Sequence, residues 1–244
     1  MIGTGFITLL SLTSFVTAPY GRHSKSGWGI MVNPKLAWLL MECPNLVAVA
    51  YYYHKNYTFG SLPPAANCVL IFFYAGHYIN RSLIFPMRIK GGKKMPITVM
   101  MSALFYCSWN GFIQAKWLLE LNMYEDSTLS SARFILGSLI FVLGFSINYH
   151  SDEVLRNLRK PGETGYKIPH GGAFRFVSCG NFFGEIVEWT GYAIASNSLP
   201  GYAFAFYTFS NTAPRGASHH QWYLDKFGSD YERLGRKAVI PFVW

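Results

Sequence analysis

Seven runs of apolar residues, each near the length that crosses a bilayer, limit what this chain can fold into. They fall at about 2–19, 36–53, 65–86, 96–119, 132–148, 173–195 and 198–213, and a helix needs roughly 20 mostly apolar residues to cross ~30 Å of hydrocarbon. Within lipid every backbone N–H and C=O must be satisfied inside the protein, which favours helices for segments of this kind. Composition agrees, because 51% of the residues are hydrophobic and 14% charged, against about 25% charged in an average soluble domain. The expected fold class is all-α: a polytopic membrane protein with seven transmembrane helices, forming one membrane-embedded domain over residues 1–244.

Lysine and arginine concentrate in cytoplasmic loops, and here they alternate. The first loop carries Arg22, Lys25 and Lys35, and the third Arg88, Lys90, Lys93 and Lys94. The fifth carries Arg156, Arg159, Lys160, Lys167 and Arg175, and the tail Arg215, Lys226, Arg233, Arg236 and Lys237. The second loop has Lys55 alone, the fourth carries Glu125 and Asp126, and the sixth has no basic residue. The odd loops and the C-terminus are therefore expected in the cytoplasm and the N-terminus outside, in a bacterial inner membrane or the endoplasmic reticulum. The first run is read as a retained span, since Arg22 and Lys25 follow it whereas the charges of a signal peptide precede its apolar core.

The net charge of +9 is scattered over several loops without a nucleic-acid motif, so membrane lipid and a phosphate-bearing ligand are the expected partners, and nucleic acid is not. Cys43, Cys68, Cys107 and Cys179 stand singly, which indicates core thiols and neither a metal site nor a disulfide framework. Ser151, followed by Asp152 and Glu153 and then by Arg156, Arg159 and Lys160 before Pro161, predicts a short separate cytoplasmic helix capped by Ser151.

Polar residues inside the apolar runs carry the functional signal, because an ionisable group at the bilayer centre costs roughly 2.5 to 3.5 kcal/mol on insertion scales unless it is partnered or wet. They are Glu42; His77, Tyr78 and Arg81; Asn110, Gln114 and Lys116; and Asn181, Glu185 and Glu188. At helical spacing His77 and Arg81 are neighbours, and Asn181, Glu185, Glu188, Trp189 and Tyr192 share a face. Single groups of this kind can merely glue helices together, but a set spread over four runs points to a functional cavity. GxGxxG, GxxxxGK[ST], HExxH and GxSxG are all missing, so a nucleotide bound here is not held by a Rossmann fold.

Three segments carry a family resemblance: the 148–196 stretch from NYHSDEVLRNLRKPGETGYKIPHGG to GNFFGEIVEWTGYAIAS, the motif RGASHHQWYLDKFG and the ending RKAVIPFVW. With APYGRHS, AWLLMECP and HYINRS in the N-terminal half, the chain resembles the steroid 5α-reductases over nearly its whole length. The resemblance implies a seven-helix membrane enzyme, expected as a monomer, that uses NADPH to reduce the 4,5 double bond of a 3-oxo-Δ4 steroid, with hydride transfer to C5 and protonation at C4. It implies that Glu42 and Tyr78 are the catalytic pair at the 3-carbonyl and that Trp38 and Met41 line the substrate pocket. It assigns cofactor contacts to Tyr20, Arg81, Asn148, Asp152, Arg159, Tyr166, Lys167, Asn181, Glu185, Arg215, His219 and Tyr223, and Trp189, which continues the face of Asn181 and Glu185, is expected to join them.

These residue types suit the chemistry, since hydride addition to an enone leaves negative charge on the carbonyl oxygen, which aimed donors stabilise, and guanidinium groups bind phosphate oxygens in pairs. Met41 stands where mammalian members carry glutamine, and Phe85 replaces a tyrosine near the cofactor, which bears on carbonyl recognition and steroid preference. Three other readings stay open at this level: an enoyl-CoA or polyprenol-type reductase, a membrane methyltransferase, and a sterol-binding or transport protein.

Overall fold

A computed structural model describes residues 1–14, 23, 27–58, 60–91, 93–160, 162–163 and 165–244. In chain order the helices are α1 (Ile2–Ser14), α2 (Pro34–Glu42), α3 (Pro44–Asn56), α4 (Ala65–Ile79), α5 (Phe85–Arg88), α6 (Ile97–Lys116), α7 (Ala132–Arg156), α8 (Gly180–Ser196), α9 (Leu199–Phe227) and α10 (Ser229–Glu232). A π-helical turn, Asn80–Ile84, joins α4 to α5, and another, Trp117–Leu121, extends α6. Two short strands, β1 (Met31–Val32) and β2 (Met95–Pro96), pair antiparallel with Met31 opposite Pro96. The chain divides into two compact units: Met1–Thr17, Gly137–Ala193 and Tyr202–Trp244, called the α7–α9 unit below, and Ala18–Leu136 with Ile194–Gly201, called the α2–α6 unit.

In the α2–α6 unit, Asn33 starts α2 by accepting the Lys35 N–H at 2.9 Å, and Pro34 occupies the first turn, where its missing N–H costs nothing. The apolar run at 36–53 is divided, because α2 ends at Glu42, Cys43 bridges and Pro44 opens α3. The helix interior needs the N–H that proline lacks, so Pro44 sits only at a new start. At Gly111 of α6 an added Cβ would lie 2.8 Å from the Asn45 Cα, so α3 and α6 approach closely there.

In the α7–α9 unit the same device operates along α8. A Cβ on Gly144 would lie 2.1 Å from the Glu188 backbone N, and one on Gly184 2.3 Å from the Asn148 N. Buried positions of α7 recur at Gly137, Phe141, Gly144, Asn148 and Ser151, whereas Leu139, Val142 and Leu143 point outward and are more than half exposed. An apolar outer face is the inverse of a soluble surface helix. Among the described residues, Ala65–Arg88 and Ala132–Arg156 are long and apolar enough to cross a membrane, and Ile2–Ser14 is a shorter apolar helix.

The separate helix capped by Ser151 is not formed. Helix α7 continues through Ser151, which is fully buried, to Arg156. No proline or glycine intervenes between Asn148 and Arg156, and extending an existing helix costs far less than nucleating a new one. Of the four thiols, Cys107 and Cys179 are buried and Cys43 and Cys68 only half-buried. The C-terminal strand-like segment lies along 176–179, where Ser178 N–H donates to the Lys237 carbonyl at 2.8 Å and Lys237 N–H to that of Phe176 at 2.9 Å.

Candidate active site

Within the α2–α6 unit, α2 supplies Trp38, Met41 and Glu42, whose spacing of three and four residues puts them along one side of the helix. Met41 is buried in a cluster with Ala37, Met95 and Met100, so a thioether stands in the packed core. The Arg81 guanidinium lies 4.4 Å from the Trp38 ring centroid and 4.8 Å from that of Phe85. The two rings meet edge to face at 5.0 Å. Phe85 thus offers a π face to Arg81, an interaction that needs no hydroxyl. Arg81 belongs to the π-helical turn; such turns alter the helical register and recur at functional sites.

Tyr78, on α4, is 4% exposed. Its hydroxyl oxygen accepts from Asn110 Nδ2 at 3.3 Å, and the same nitrogen donates to Tyr74 at 3.1 Å. The Tyr74 hydroxyl donates to Asn45 Oδ1 at 2.5 Å, and Asn45 Nδ2 donates to the Glu42 backbone carbonyl at 3.1 Å. The Cys107 thiol donates to Glu42 Oε2 at 3.5 Å. Glu42 and Tyr78, far apart in sequence, are therefore two ends of one hydrogen-bonded set. Asn110 and Gln114 stood out as polar residues of an apolar run, but nothing in the sequence assigned Asn45 or Tyr74 to this group.

Within the α7–α9 unit, Asn148 Nδ2 donates to the Asn181 carbonyl at 2.9 Å, and Asn181 Nδ2 to Asp152 Oδ1 at 3.1 Å. The next residue, Phe182, carries Arg215 over its ring at 4.8 Å and His219 stacked at 5.7 Å. Arg215, His219 and Tyr223 follow one another at four-residue spacing on α9 and share a face. Tyr223 is buried and stacks on Tyr231 at 4.8 Å, and Tyr166 meets Trp222 edge to face at 4.9 Å. Glu185 stands one turn beyond Asn181, half-buried. Trp189 is buried among Phe141, Tyr192 and Phe204.

Within this unit two expected cofactor residues, Arg159 and Lys167, stand apart from this group. Arg159 donates to the Gly165 carbonyl at 3.5 Å, and Lys167 pairs with Glu163. The Lys167 ammonium, and then the Lys160 N–H, hold the Glu163 carboxyl below its ordinary range. Tyr20 lies outside the described residues. Among the described residues no cluster of three or more His, Cys, Asp or Glu is placed to hold a metal ion.

A polar set missed at sequence level joins Tyr231, Ser178 and His220. Tyr231 donates to Ser178 Oγ at 2.6 Å, and Ser178 Oγ lies 2.6 Å from His220 Nδ1. Burial, and then the Lys237 charge, push the His220 imidazole below its ordinary value.

Residues 93–244 match the family model described as 3-oxo-5-alpha-steroid 4-dehydrogenase. The chain belongs to the 3-oxo-5-alpha-steroid 4-dehydrogenase family. It is 44% identical over 242 residues to 3-oxo-5-alpha-steroid 4-dehydrogenase 1 of Bos taurus, covering 95% of this chain and 90% of that protein. The protein of the same name from Homo sapiens is 43% identical over 225 residues, covering 92% and 86%. Steroid 5-alpha-reductase DET2 of Arabidopsis thaliana is 40% identical over 241 residues, covering 96% and 90%. The match to the steroid dehydrogenase model takes in the whole polar group on α7, α8 and α9. At these coverages the similarity to the dehydrogenases themselves runs well into the N-terminal half.

Proposed function

We propose that this chain is an oxidoreductase acting on CH–CH groups that reduces the 4,5 double bond of 3-oxo-Δ4 steroids, with NADPH as reductant. The observation that carries the reading is the 44% identity over 95% of the chain to a protein named for this reaction. The polar set suits a dinucleotide: the Arg215 guanidinium with His219 for phosphate oxygens, and the Asn148, Asp152 and Asn181 group, which offers both donors and a carboxylate acceptor, for an amide. Glu185, Tyr166 and Tyr223 extend this set, and Trp189 backs it from the core. Arg159 and Lys167 reach the cofactor from the segment after α7, Arg81 is its contact from the π-helical turn, and Tyr20 is a further contact by family resemblance.

NADPH, when bound, supplies a hydride. The chain's own residues handle the charge that hydride arrival at C5 creates. Tyr78 donates a hydrogen bond to the 3-oxygen, and Glu42 adds a second polar contact there, which lowers the barrier by stabilising negative charge as it develops. Trp38 and Met41 wall the steroid, and an apolar surround keeps water from the enolate until C4 takes its proton. The reaction consumes one steroid, one NADPH and one proton, and yields the dihydro steroid and NADP⁺.

The outward apolar face of α7 and the apolar helix through 65–88 support placement in a membrane. We propose seven spans, with the N-terminus outside and the cofactor side in the cytoplasm. The test is product analysis of the purified protein in detergent with NADPH, testosterone and a trans-2-enoyl-CoA together. The reading requires the 5α-dihydro steroid; saturation of the acyl-CoA alone, or no turnover over a panel of 3-oxo-Δ4 steroids, contradicts it.

A further inference from the structure

We infer that Asn110, held by Gln114, is the positioning residue for the Tyr78 hydroxyl. The inference rests on the reading above, in which Tyr78 donates to the steroid oxygen. Both side chains are fully buried, one turn apart on α6. Gln114 Nε2 donates to the Pro200 carbonyl at 2.9 Å and lies 3.4 Å from Asn110 Oδ1. A carboxamide nitrogen has two hydrogens, so the Pro200 carbonyl anchors one and the other faces Asn110. That contact fixes which way the Asn110 amide points, with oxygen toward Gln114 and nitrogen toward the tyrosines.

The Asn110 nitrogen then donates to both the Tyr74 and the Tyr78 oxygens. A phenol oxygen that accepts from one side directs its own hydrogen away from that donor. For Tyr74 that direction is Asn45 Oδ1. For Tyr78, in the proposed reaction, it is the steroid oxygen. Accepting a hydrogen bond also polarises the phenol and strengthens it as a donor, as in other hydrogen-bond chains. Asn110 therefore acts through Tyr78 and touches neither substrate nor cofactor. At 3.3 Å the contact is at the long end for N–H···O, so its loss is worth about one neutral hydrogen bond, or about tenfold in rate.

The experiment is a double-mutant cycle with Asn110→Leu and Tyr78→Phe, reading kcat and KM for testosterone at saturating NADPH. Tyr78→Phe alone is expected to lose about a hundredfold or more in kcat, as for removal of one oxyanion donor. Asn110→Leu is expected to lose about tenfold in kcat with KM within about twofold, and to lose nothing further in the Tyr78→Phe background. An equal loss in both backgrounds would mean that Asn110 only supports the fold, and overturns the inference. An unchanged kcat in Asn110→Leu, beside a crippled Tyr78→Phe, overturns the positioning role alone. Full activity in Tyr78→Phe removes Tyr78 from the chemistry and both readings with it. Should Asn110→Leu not fold, judged by its thermal midpoint, Gln114→Leu takes its place. That variant keeps the Asn110 amide but frees it to rotate, with an expected loss of about threefold confined to the Tyr78 background.

Discussion

His220 shows how one side chain can tie local chemistry to stability. His220 Nδ1 lies 2.6 Å from Ser178 Oγ, which accepts from Tyr231. A protonated imidazole can only donate, and the Ser178 hydroxyl then directs its own hydrogen to the Lys237 carbonyl, 3.2 Å away. Because the folded-state pKa is depressed, the stabilisation is present above the ordinary imidazole value and is lost as pH falls through the lowered one. The thermal midpoint should therefore fall as the pH is lowered below about 6.5, and His220→Gln should flatten that fall. An identical pH slope in both proteins would contradict the assignment. None of this was legible in sequence, where Ser178 lies far from His220 and Tyr231 and no motif links the three.

At the scale of elements, close helix contact rests on glycines. A Cβ on Gly184 would meet the backbone of Asn148 at 2.3 Å and 2.7 Å, and backbone cannot swing aside as a long side chain can. Gly184→Ala should destabilise by about 1–3 kcal/mol, the usual cost of overpacking, and lower the thermal midpoint by several degrees. Gly3→Ala, with nothing within 4 Å of its Cβ, is the neutral control. Equal midpoints for the two variants would contradict the packing account. Apolar periodicity placed helices well where no breaker intervenes: the expected 65–86 and 96–119 correspond to helix through Arg88 and from Ile97. It did less well at Pro44, where chemistry that stops a helix sits inside an apolar run, and at Ser151, where a good capping residue lies buried within α7. The π-helical turns at 80–84 and 117–121 have no sequence marker, since they insert a residue into the ladder without proline or glycine.

At the scale of the whole molecule, chain-long similarity to steroid dehydrogenases and a polar set on apolar helices converge on one reaction. Glu42 and Tyr78 stood out in the sequence as polar groups in lipid-like runs, whereas Arg215, His219 and Tyr223 entered the site only through the family resemblance. What joins Glu42 to Tyr78 was not legible there, because Asn45, Tyr74 and Asn110 come from three helices and only tertiary packing brings them into hydrogen-bond reach. In the proposed reaction, hydride reaches C5 while a donor holds the 3-oxygen. The decisive experiment is incubation of the protein and testosterone with NADPH deuterated at the transferring position of the nicotinamide, followed by NMR of the product. A single deuterium at C5 on the α face and solvent hydrogen at C4 are expected; deuterium at C4, or none in the product, would overturn this chemistry.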